Sequence, residues 1–182
     1  MNRKQYRIVS ALAVLTVALV SLGYELSLAR PAMHEAQVME VNDGDTVTIR
    51  LDSGTYRTRL VGIDAPEMGQ RPWGRRAKEH LIGIMRASGW MVFVETDIVK
   101  HDKYDRLLAY LWTKQNELIN ERMVRDGYAV LFTLSPNVKY ADRLAKAESR
   151  ARNEMKGIWG PKGLRENPFK YRERHPRKEY GF

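Results

Sequence analysis

Four carboxylates occur close together in the sequence, around two predicted strands. Asp43 and Asp45 flank a glycine, and Asp64 and Glu67 follow after those strands. If the first pair lies in a turn leading into one strand and the second ends a neighbouring antiparallel strand, all four groups reach the same end of a sheet. Carboxylates gathered in this way repel one another and require a cation. An all-oxygen ligand set suits Ca²⁺ or Mg²⁺ rather than zinc.

Two arginines accompany these carboxylates. Arg59 lies on the strand leading to Asp64, and Arg106 begins a later strand. A guanidinium group binds phosphate oxygens through two parallel hydrogen bonds, which lysine cannot do. A hard cation and two arginines would stabilise the charge that a phosphodiester gains during hydrolysis, while a carboxylate accepts the proton of the attacking water. The combination predicts metal-assisted phosphodiester hydrolysis, although each residue alone also fits an ordinary turn or surface position.

Alternating and β-branched apolar residues predict five short strands that position these groups. The strands are expected at residues 36–41, 46–51, 56–63, 90–95 and 107–112. Glycine, Asn and Asp residues between the first three are typical of tight turns. Together with helices, these strands indicate an α+β fold that is mainly β, built on a five-stranded barrel of the OB type.

About three α-helices are predicted, over residues 74–85, 118–126 and 136–155. Glu148 lies on the inner side of the third helix, and we interpret it as a structural carboxylate held by hydrogen bonds. Residues 161–182 combine basic residues with proline and show little periodicity. They predict a mobile basic tail, which either holds an anionic polymer electrostatically or has no specific role.

The composition narrows the chemistry further. The chain has 182 residues, with 31 Lys and Arg against 22 Asp and Glu, and a formal net charge of +9. This surplus favours a polyanionic partner but equally fits an ordinary basic surface. The absence of cysteine excludes disulfides, thiolate zinc sites and cysteine nucleophiles, and the four histidines lack metal-ligand spacing. Hydrolysis would therefore depend on carboxylates, arginines and a hard metal ion.

Residues 1–29 form a separate N-terminal segment. Basic residues precede an apolar run over residues 8–22, which ends before Glu25, and this is the arrangement of an export signal. Small residues fit cleavage after Ala29, whereas an uncleaved apolar helix over residues 8–24 would attach the chain to a membrane. Both alternatives predict export, with the domain periplasmic, extracellular or anchored outside the cytoplasm.

Two blocks of sequence resemble the signatures of the staphylococcal nuclease (thermonuclease) family. The first comprises residues 43–49 (DGDTVTI) and 59–67 (RLVGIDAPE), and the second is residues 102–112 (DKYDRLLAYLW). The similarity extends over residues 36–160. It implies a nuclease domain over residues 30–160, with an OB-fold barrel and three helices.

The resemblance implies a metal site and a general base at the first block. Asp45, Asp64 and the backbone carbonyl of Ala65 correspond to ligands of one Ca²⁺ ion, and other divalent metals are compatible. Asp43 would support the metal shell from outside it. Glu67 corresponds to the general base that acts on the attacking water.

The remaining implied roles concern the substrate. Arg59 and Arg106 correspond to the family's phosphate clamps. Lys103 and Tyr104 correspond to residues lining the nucleotide pocket, and the ring of Phe132 is available to stack on a base.

Three departures from the family pattern affect this pocket. Asp105 stands where the family usually has glycine, in the turn before Arg106. If that turn needs a positive φ, Asp tolerates it better than most residues, but its charge would lie beside Arg106. Leu134 lies in a stretch where relatives carry tyrosines, and its side chain cannot donate a hydrogen bond to phosphate. The loop over residues 68–73 is short.

The resemblance implies a Ca²⁺-dependent endonuclease that acts on DNA, RNA or both and leaves 3′-phosphates. The N-terminal segment adds the expectation of export, and nothing in the sequence requires more than a monomer. One alternative is a non-catalytic nucleic-acid-binding OB-fold module, and another is a membrane-anchored interaction domain. A binding module does not need the carboxylates and both arginines together, so we favour catalysis.

Overall fold

Five strands close into a barrel in the computed structural model, which describes residues 33–176. With two strands outside the barrel, the described residues form seven strands: β1 (His34–Val41), β2 (Thr46–Leu51), β3 (Gly54–Leu60), β4 (Gly62–Asp64), β5 (Met91–His101), β6 (Leu107–Trp112) and β7 (Val130–Phe132). The barrel order is β1-β2-β3-β6-β5, and β5 closes it by pairing with β1. Strands β3 and β6 are parallel, and the other barrel pairs are antiparallel. The predicted five-stranded, OB-like barrel is confirmed.

The alternation in β1 explains how the sequence forms the barrel wall. Ala36, Val38 and Val41 are buried, and the residues between them are exposed. The register with β2 shifts between Val38 and Glu40, where the alternation is interrupted. An extra residue of this kind bends a strand and increases its twist, as barrel closure requires.

The strand predicted over residues 56–63 is two strands in the structure. Gly62 has a φ of +80°, a conformation that glycine adopts at little cost, and the chain turns there. Strand β4 then leaves the barrel and pairs antiparallel with β7 in a two-stranded sheet. This turn separates Asp64 from the strand that carries Arg59.

The part of the chain that the structure describes contains four α-helices rather than about three. They are α1 (Trp73–Ala87), α2 (Ile119–Arg125), α3 (Ala141–Asn153) and α4 (Pro168–Arg174), with a 3₁₀ turn at Gly157–Trp159. The first three correspond to predicted helices. Helix α3 begins later than predicted because Asn137 instead fixes β5, accepting from the Val99 N–H at 2.8 Å and donating to the Val99 carbonyl at 2.8 Å.

Glu148 on α3 has the structural role that was predicted. Its carboxylate accepts a hydrogen bond from the Leu131 N–H at 2.9 Å and another from Arg152 at 3.1 Å. The first bond joins α3 to β7. Glu148 therefore holds a helix against the small sheet.

Residues 161–176 contain the fourth helix, where the sequence predicted a mobile tail. Asn167 caps α4 by accepting a hydrogen bond from the Phe169 N–H at 2.8 Å, and Pro168 occupies the start of the helix. The Trp73 indole N–H donates to the Lys162 carbonyl at 3.2 Å. The C-terminal segment therefore lies against the body of the domain.

Asn120 joins α2 to the barrel. Its side chain is fully buried. The amide donates to the carbonyls of Val61 at 2.8 Å and Ala109 at 3.3 Å, and its oxygen accepts from the Leu111 N–H at 3.0 Å. These bonds fix the segment entering β4 and therefore the position of the strand that carries Asp64.

The predicted apolar signal or anchor, residues 1–29, lies outside the described residues. Within residues 33–176, no helix is both long enough and apolar enough to cross a membrane. The prediction for the N-terminal segment stays a prediction.

Candidate active site

The turn between β1 and β2 carries the first pair of carboxylates. The N–H groups of Asn42 and Asp43 donate to the Thr46 carbonyl at 2.9 and 3.2 Å. The Asp43 carboxylate accepts from the Asp45 N–H at 3.1 Å. Asp43 therefore shapes the turn, and Asp45 points its carboxylate away from it toward the loop after β4.

Close packing brings this turn to the second pair of carboxylates. Asp45 Oδ2 accepts from the Ala65 N–H at 2.7 Å. A Cβ at Gly44 would lie 2.6 Å from the Ala65 Cβ and 2.7 Å from the Ala77 Cβ, so only glycine fits there. Asp64 precedes Ala65, and the two acidic segments therefore meet at one end of the barrel, as the sequence predicted.

Arg59 bridges the two acidic segments. Its Nη1 lies 2.5 Å from Asp45 Oδ1, and its Nη2 donates to Asp64 Oδ1 at 3.0 Å. The Asp64 side chain is fully buried, and that of Arg59 is 13% exposed. Arg59 thus lies at the acidic cluster and partly balances its charge.

Glu67 lies in a tight loop before α1. The Gln70 N–H donates to the Glu67 carbonyl at 2.8 Å, and the Glu67 N–H donates to Gln70 Oε1 at 2.9 Å. Gln70 is buried, and its Nε2 donates to the Glu166 carbonyl at 2.8 Å. This residue holds the short loop closed and ties it to the C-terminal segment.

Arg172 of α4 also enters the acidic cluster. Its Nη1 and Nη2 donate to the two carboxylate oxygens of Asp64, both at 2.8 Å, and Nη1 also donates to Glu67 Oε1 at 3.0 Å. Burial alone would lower the pKa of Arg172, but these two carboxylates raise it above its ordinary value. A residue predicted to lie in a mobile tail therefore contacts a candidate metal ligand and the candidate base.

Arg106 lies apart from these contacts and pairs with Asp102. Its Nε donates to Asp102 Oδ2 at 2.8 Å, and its backbone N–H donates to Asp102 Oδ1 at 3.0 Å. Burial alone would raise the pKa of Asp102, but these bonds and the Tyr104 N–H lower it below its ordinary value. Asp105 has a φ of +58°, which is the positive φ expected of a residue in place of glycine.

Arg59 and Arg106 both line one cavity of about 820 Å³. Its lining includes Asp45, Arg59, Glu67, Arg106 and Arg172. The groups predicted to act on one phosphodiester therefore face a common volume.

The predicted nucleotide contacts surround this cavity unevenly. Tyr104, which is 65% exposed, and Phe132 line it. Lys103 lies beside Tyr104, with its Nζ 5.0 Å from the ring centroid. Leu134 also lines the cavity and is 63% exposed, so it presents an apolar side chain there.

The ring of Phe132 is already stacked. It lies against Phe169 of α4, with ring centroids 5.8 Å apart and an angle of 29° between the planes. A base that stacked on this face of Phe132 would have to displace Phe169.

The acidic cluster has the chemistry of a hard-cation site. Within residues 33–176, no three His, Asp or Glu side chains surround one point, since arginines bridge the carboxylates. The cluster nevertheless has four formal negative charges against two positive ones: Asp43, Asp45, Asp64 and Glu67 against Arg59 and Arg172. Burial raises the pKa of Asp45 to about 7, with Asp43 and Asp64 adding to the rise and Arg59 opposing it. All the carboxylate ligands are oxygens, and the cluster has an excess of negative charge, so it fits a divalent cation.

Arg172 is the site residue that pattern reasoning missed. Its signal was local: Asn167-Pro168 places a capping side chain directly before a proline at the first helical position. That pair predicts a helix start. The direction in which the helix then points depends on packing, and no sequence pattern gives it.

Known proteins resemble this chain over the whole barrel. Residues 57–161 match the family described as staphylococcal nuclease homologue. A thermonuclease of Staphylococcus hyicus is 33% identical over 132 residues, covering 68% of this chain and 74% of that protein. Protein ParB of Escherichia coli is 32% identical over 192 aligned positions covering 100% of both chains, and a micrococcal nuclease of Shigella flexneri is 30% identical over 171, covering 90% of this chain and 94% of that protein.

Proposed function

Because the chain belongs to the staphylococcal nuclease family and is a hydrolytic nuclease, we propose that it is an exported, Ca²⁺-dependent endonuclease acting on single-stranded DNA and RNA. The observation that carries this proposal is the common cavity. Asp45, Glu67, Arg59 and Arg106 all line it. Three kinds of group that phosphodiester hydrolysis requires thus surround a single volume: cation ligands, a base and phosphate-binding arginines.

Asp45, Asp64 and the carbonyl oxygen of Ala65 are the groups that would hold Ca²⁺, with Asp43 orienting the turn. When bound, the ion would polarise the phosphodiester and offset the negative charge of the transition state. Asp45 is preset for this role, because the Ala65 N–H and Thr46 hydroxyl fix its two oxygens.

Glu67 takes the proton of the attacking water. The water oxygen forms the new bond to phosphorus, the bond to the 5′ oxygen breaks, and that oxygen leaves and takes a proton from solvent, which gives the 3′-phosphate expected of the family. Arg59 and Arg106 bind the non-bridging oxygens, whose charge increases in the transition state.

The cavity favours an unpaired strand. Tyr104 offers a ring face to a base, Phe132 offers one once Phe169 is displaced, and stacking tolerates any base and either sugar. We therefore expect both DNA and RNA to be cleaved when single-stranded, by a monomer.

The export proposal depends on residues 1–29 alone. A basic start followed by an apolar run supports delivery across a membrane, with the domain then periplasmic, extracellular or anchored. Fractionation of cells that express the full chain, with the N-terminus of the product sequenced, tests it. Activity confined to the cytoplasmic fraction would contradict export.

A metal titration tests the nuclease proposal. Single-stranded DNA and RNA should be cleaved when Ca²⁺ is added, cleavage should stop when a chelator is in excess, and excess Ca²⁺ should restore it. Product ends mapped by phosphatase sensitivity should be 3′-phosphates. Undiminished cleavage in excess chelator would overturn the metal assignment.

A further inference from the structure

Helix α4 contacts the proposed catalytic site at two places, the acidic cluster and Phe132. Arg172 binds both oxygens of Asp64 and one oxygen of Glu67. Three residues before Arg172 on the same helix, Phe169 stacks on Phe132. One short helix therefore occupies both the carboxylates expected to bind the cation and the ring expected to bind a base.

The contact of Arg172 with Asp64 conflicts with cation binding at the same carboxylate. Asp64 Oδ1 accepts from both Arg59 and Arg172, and Oδ2 accepts from Arg172. A divalent ion on Asp64 would have to share these oxygens with the guanidinium donors, and it would stand beside groups of the same charge sign. The Arg172 guanidinium therefore weakens binding of the divalent ion at Asp64, and by linkage the ion weakens the contact of Arg172 with Asp64 to the same extent.

The contacts that hold α4 in place can be exchanged for other partners. The helix has seven residues, of which Pro168 is the buried one, and a helix this short has little stability of its own. The Phe169 side chain is 45% exposed and that of Arg172 is 35% exposed. By contrast, the connection before α4 is fixed by buried Gln70, which donates to the Glu166 carbonyl. Displacement of α4 would therefore break partly exposed contacts and leave this buried connection in place.

We infer that Arg172 is a built-in competitor of the metal ion, and that α4 is a cover that must be displaced for cation and nucleotide to bind. The inference rests on the proposed function, because it needs Asp64 to be a cation ligand. Its consequence is that this chain requires more Ca²⁺ than its carboxylates alone would need.

The test is to measure Ca²⁺ binding to the full chain by calorimetry, in the absence of substrate. Arg172→Gln removes the competing charge but keeps a polar side chain of similar length. We expect its Kd for Ca²⁺ to fall by about tenfold or more, since apparent affinity rises as the open fraction rises. Lys170→Gln is the matched control, because it makes the same charge change at an exposed position of the same helix, and its Kd should match that of the unaltered chain.

A second variant separates the covering of the site by α4 from the charge of Arg172. Phe169→Ala leaves Arg172 and the carboxylates unaltered but removes the contact with Phe132. It should also lower the Kd for Ca²⁺, by a smaller factor, and lower the KM for single-stranded DNA. In hydrogen exchange, amides of residues 169–174 in the unaltered chain should exchange faster once Ca²⁺ is added.

The outcomes distinguish this inference from the proposed function. If the unaltered chain cleaves DNA with Ca²⁺ but Arg172→Gln binds Ca²⁺ no more tightly, or more weakly, the competition is refuted and the nuclease proposal stands. If neither protein binds Ca²⁺ and neither cleaves, both proposals fail. Tighter binding by Arg172→Gln and not by Lys170→Gln supports the competition.

Discussion

Glu67 is the residue that we propose as the general base of the hydrolysis. Its backbone is fixed through Gln70, and its carboxylate contacts Arg172 and lines the cavity. Since the proposed cation ligands are other residues, the proposed base can be substituted without changing them. This separation makes its role measurable.

We predict that Glu67→Gln lowers kcat by about 100- to 10,000-fold, because the amide cannot accept the proton of the attacking water. The Kd for Ca²⁺ should change little, which calorimetry can check. Glu79→Gln is the control, since that carboxylate is exposed on α1 and pairs with Arg75. Retention of activity within a few-fold in Glu67→Gln would show that another group is the base.

At the scale of elements, the site depends on how closely the β1–β2 turn approaches α1. Gly44 fills the gap between Ala65 and Ala77. The acidic turn and the Asp64 segment are thereby held together by packing and not only by charge.

We predict that Gly44→Ala destabilises the protein by about 1–3 kcal/mol through overpacking. It should also weaken Ca²⁺ binding by moving Asp45 away from Ala65. Thermal unfolding and calorimetry measure the two effects. Gly83→Ala is the control: it lies exposed in α1 with no atom within 4 Å of the added Cβ, so it should stabilise by about 0.5–1 kcal/mol. Equal behaviour of the two variants would contradict the packing argument.

The second element-scale prediction concerns the attachment of α2 to the barrel. Asn120→Leu should lower the free energy of unfolding by about 3 kcal/mol or more, because it leaves the buried Val61 carbonyl and Leu111 N–H without the side-chain partner that each has in Asn120. Denaturant unfolding measures this. Asn153→Leu at the exposed end of α3 should change stability by less than about 0.5 kcal/mol. A small loss for Asn120→Leu would mean that other donors replace its amide.

At the scale of the whole molecule, the basic surplus affects substrate affinity rather than chemistry. The net charge of +9 attracts a polyanion of any sequence, and that attraction weakens with salt.

We predict that single-stranded DNA binding by Glu67→Gln, measured by fluorescence anisotropy, weakens about tenfold between about 50 and about 200 mM KCl, as expected for a few phosphate contacts. A parallel titration with a neutral-backbone oligonucleotide is the control and should show little salt dependence. Affinity that is unchanged by salt would exclude phosphate contacts as the main source of binding.

Local patterns were sufficient to predict the strands of the barrel and the meeting of the two acidic segments at one end of it. Alternation in β1 and the Asx-Gly turn before β2 gave the wall of the barrel and placed Asp43 and Asp45 at its end. The helices α1 to α3 followed from apolar periodicity and their bounds shifted only where tertiary contacts intervened, as at Asn137. The residues 56–63 were predicted as one strand because Gly62 does not disturb the alternation, although its backbone turns the chain.

What the sequence determined by itself is the set of reactive groups: carboxylates, arginines and their spacing on short strands, which depend on periods of two and on turn chemistry. Only the tertiary structure decided which cations the carboxylates meet. Arg172 is separated from Asp64 by more than half of the domain, yet it binds both carboxylate oxygens of that residue. Contacts over such separations depend on the packing of α4 against the 68–73 loop and Phe132, and no periodicity in the chain encodes that packing.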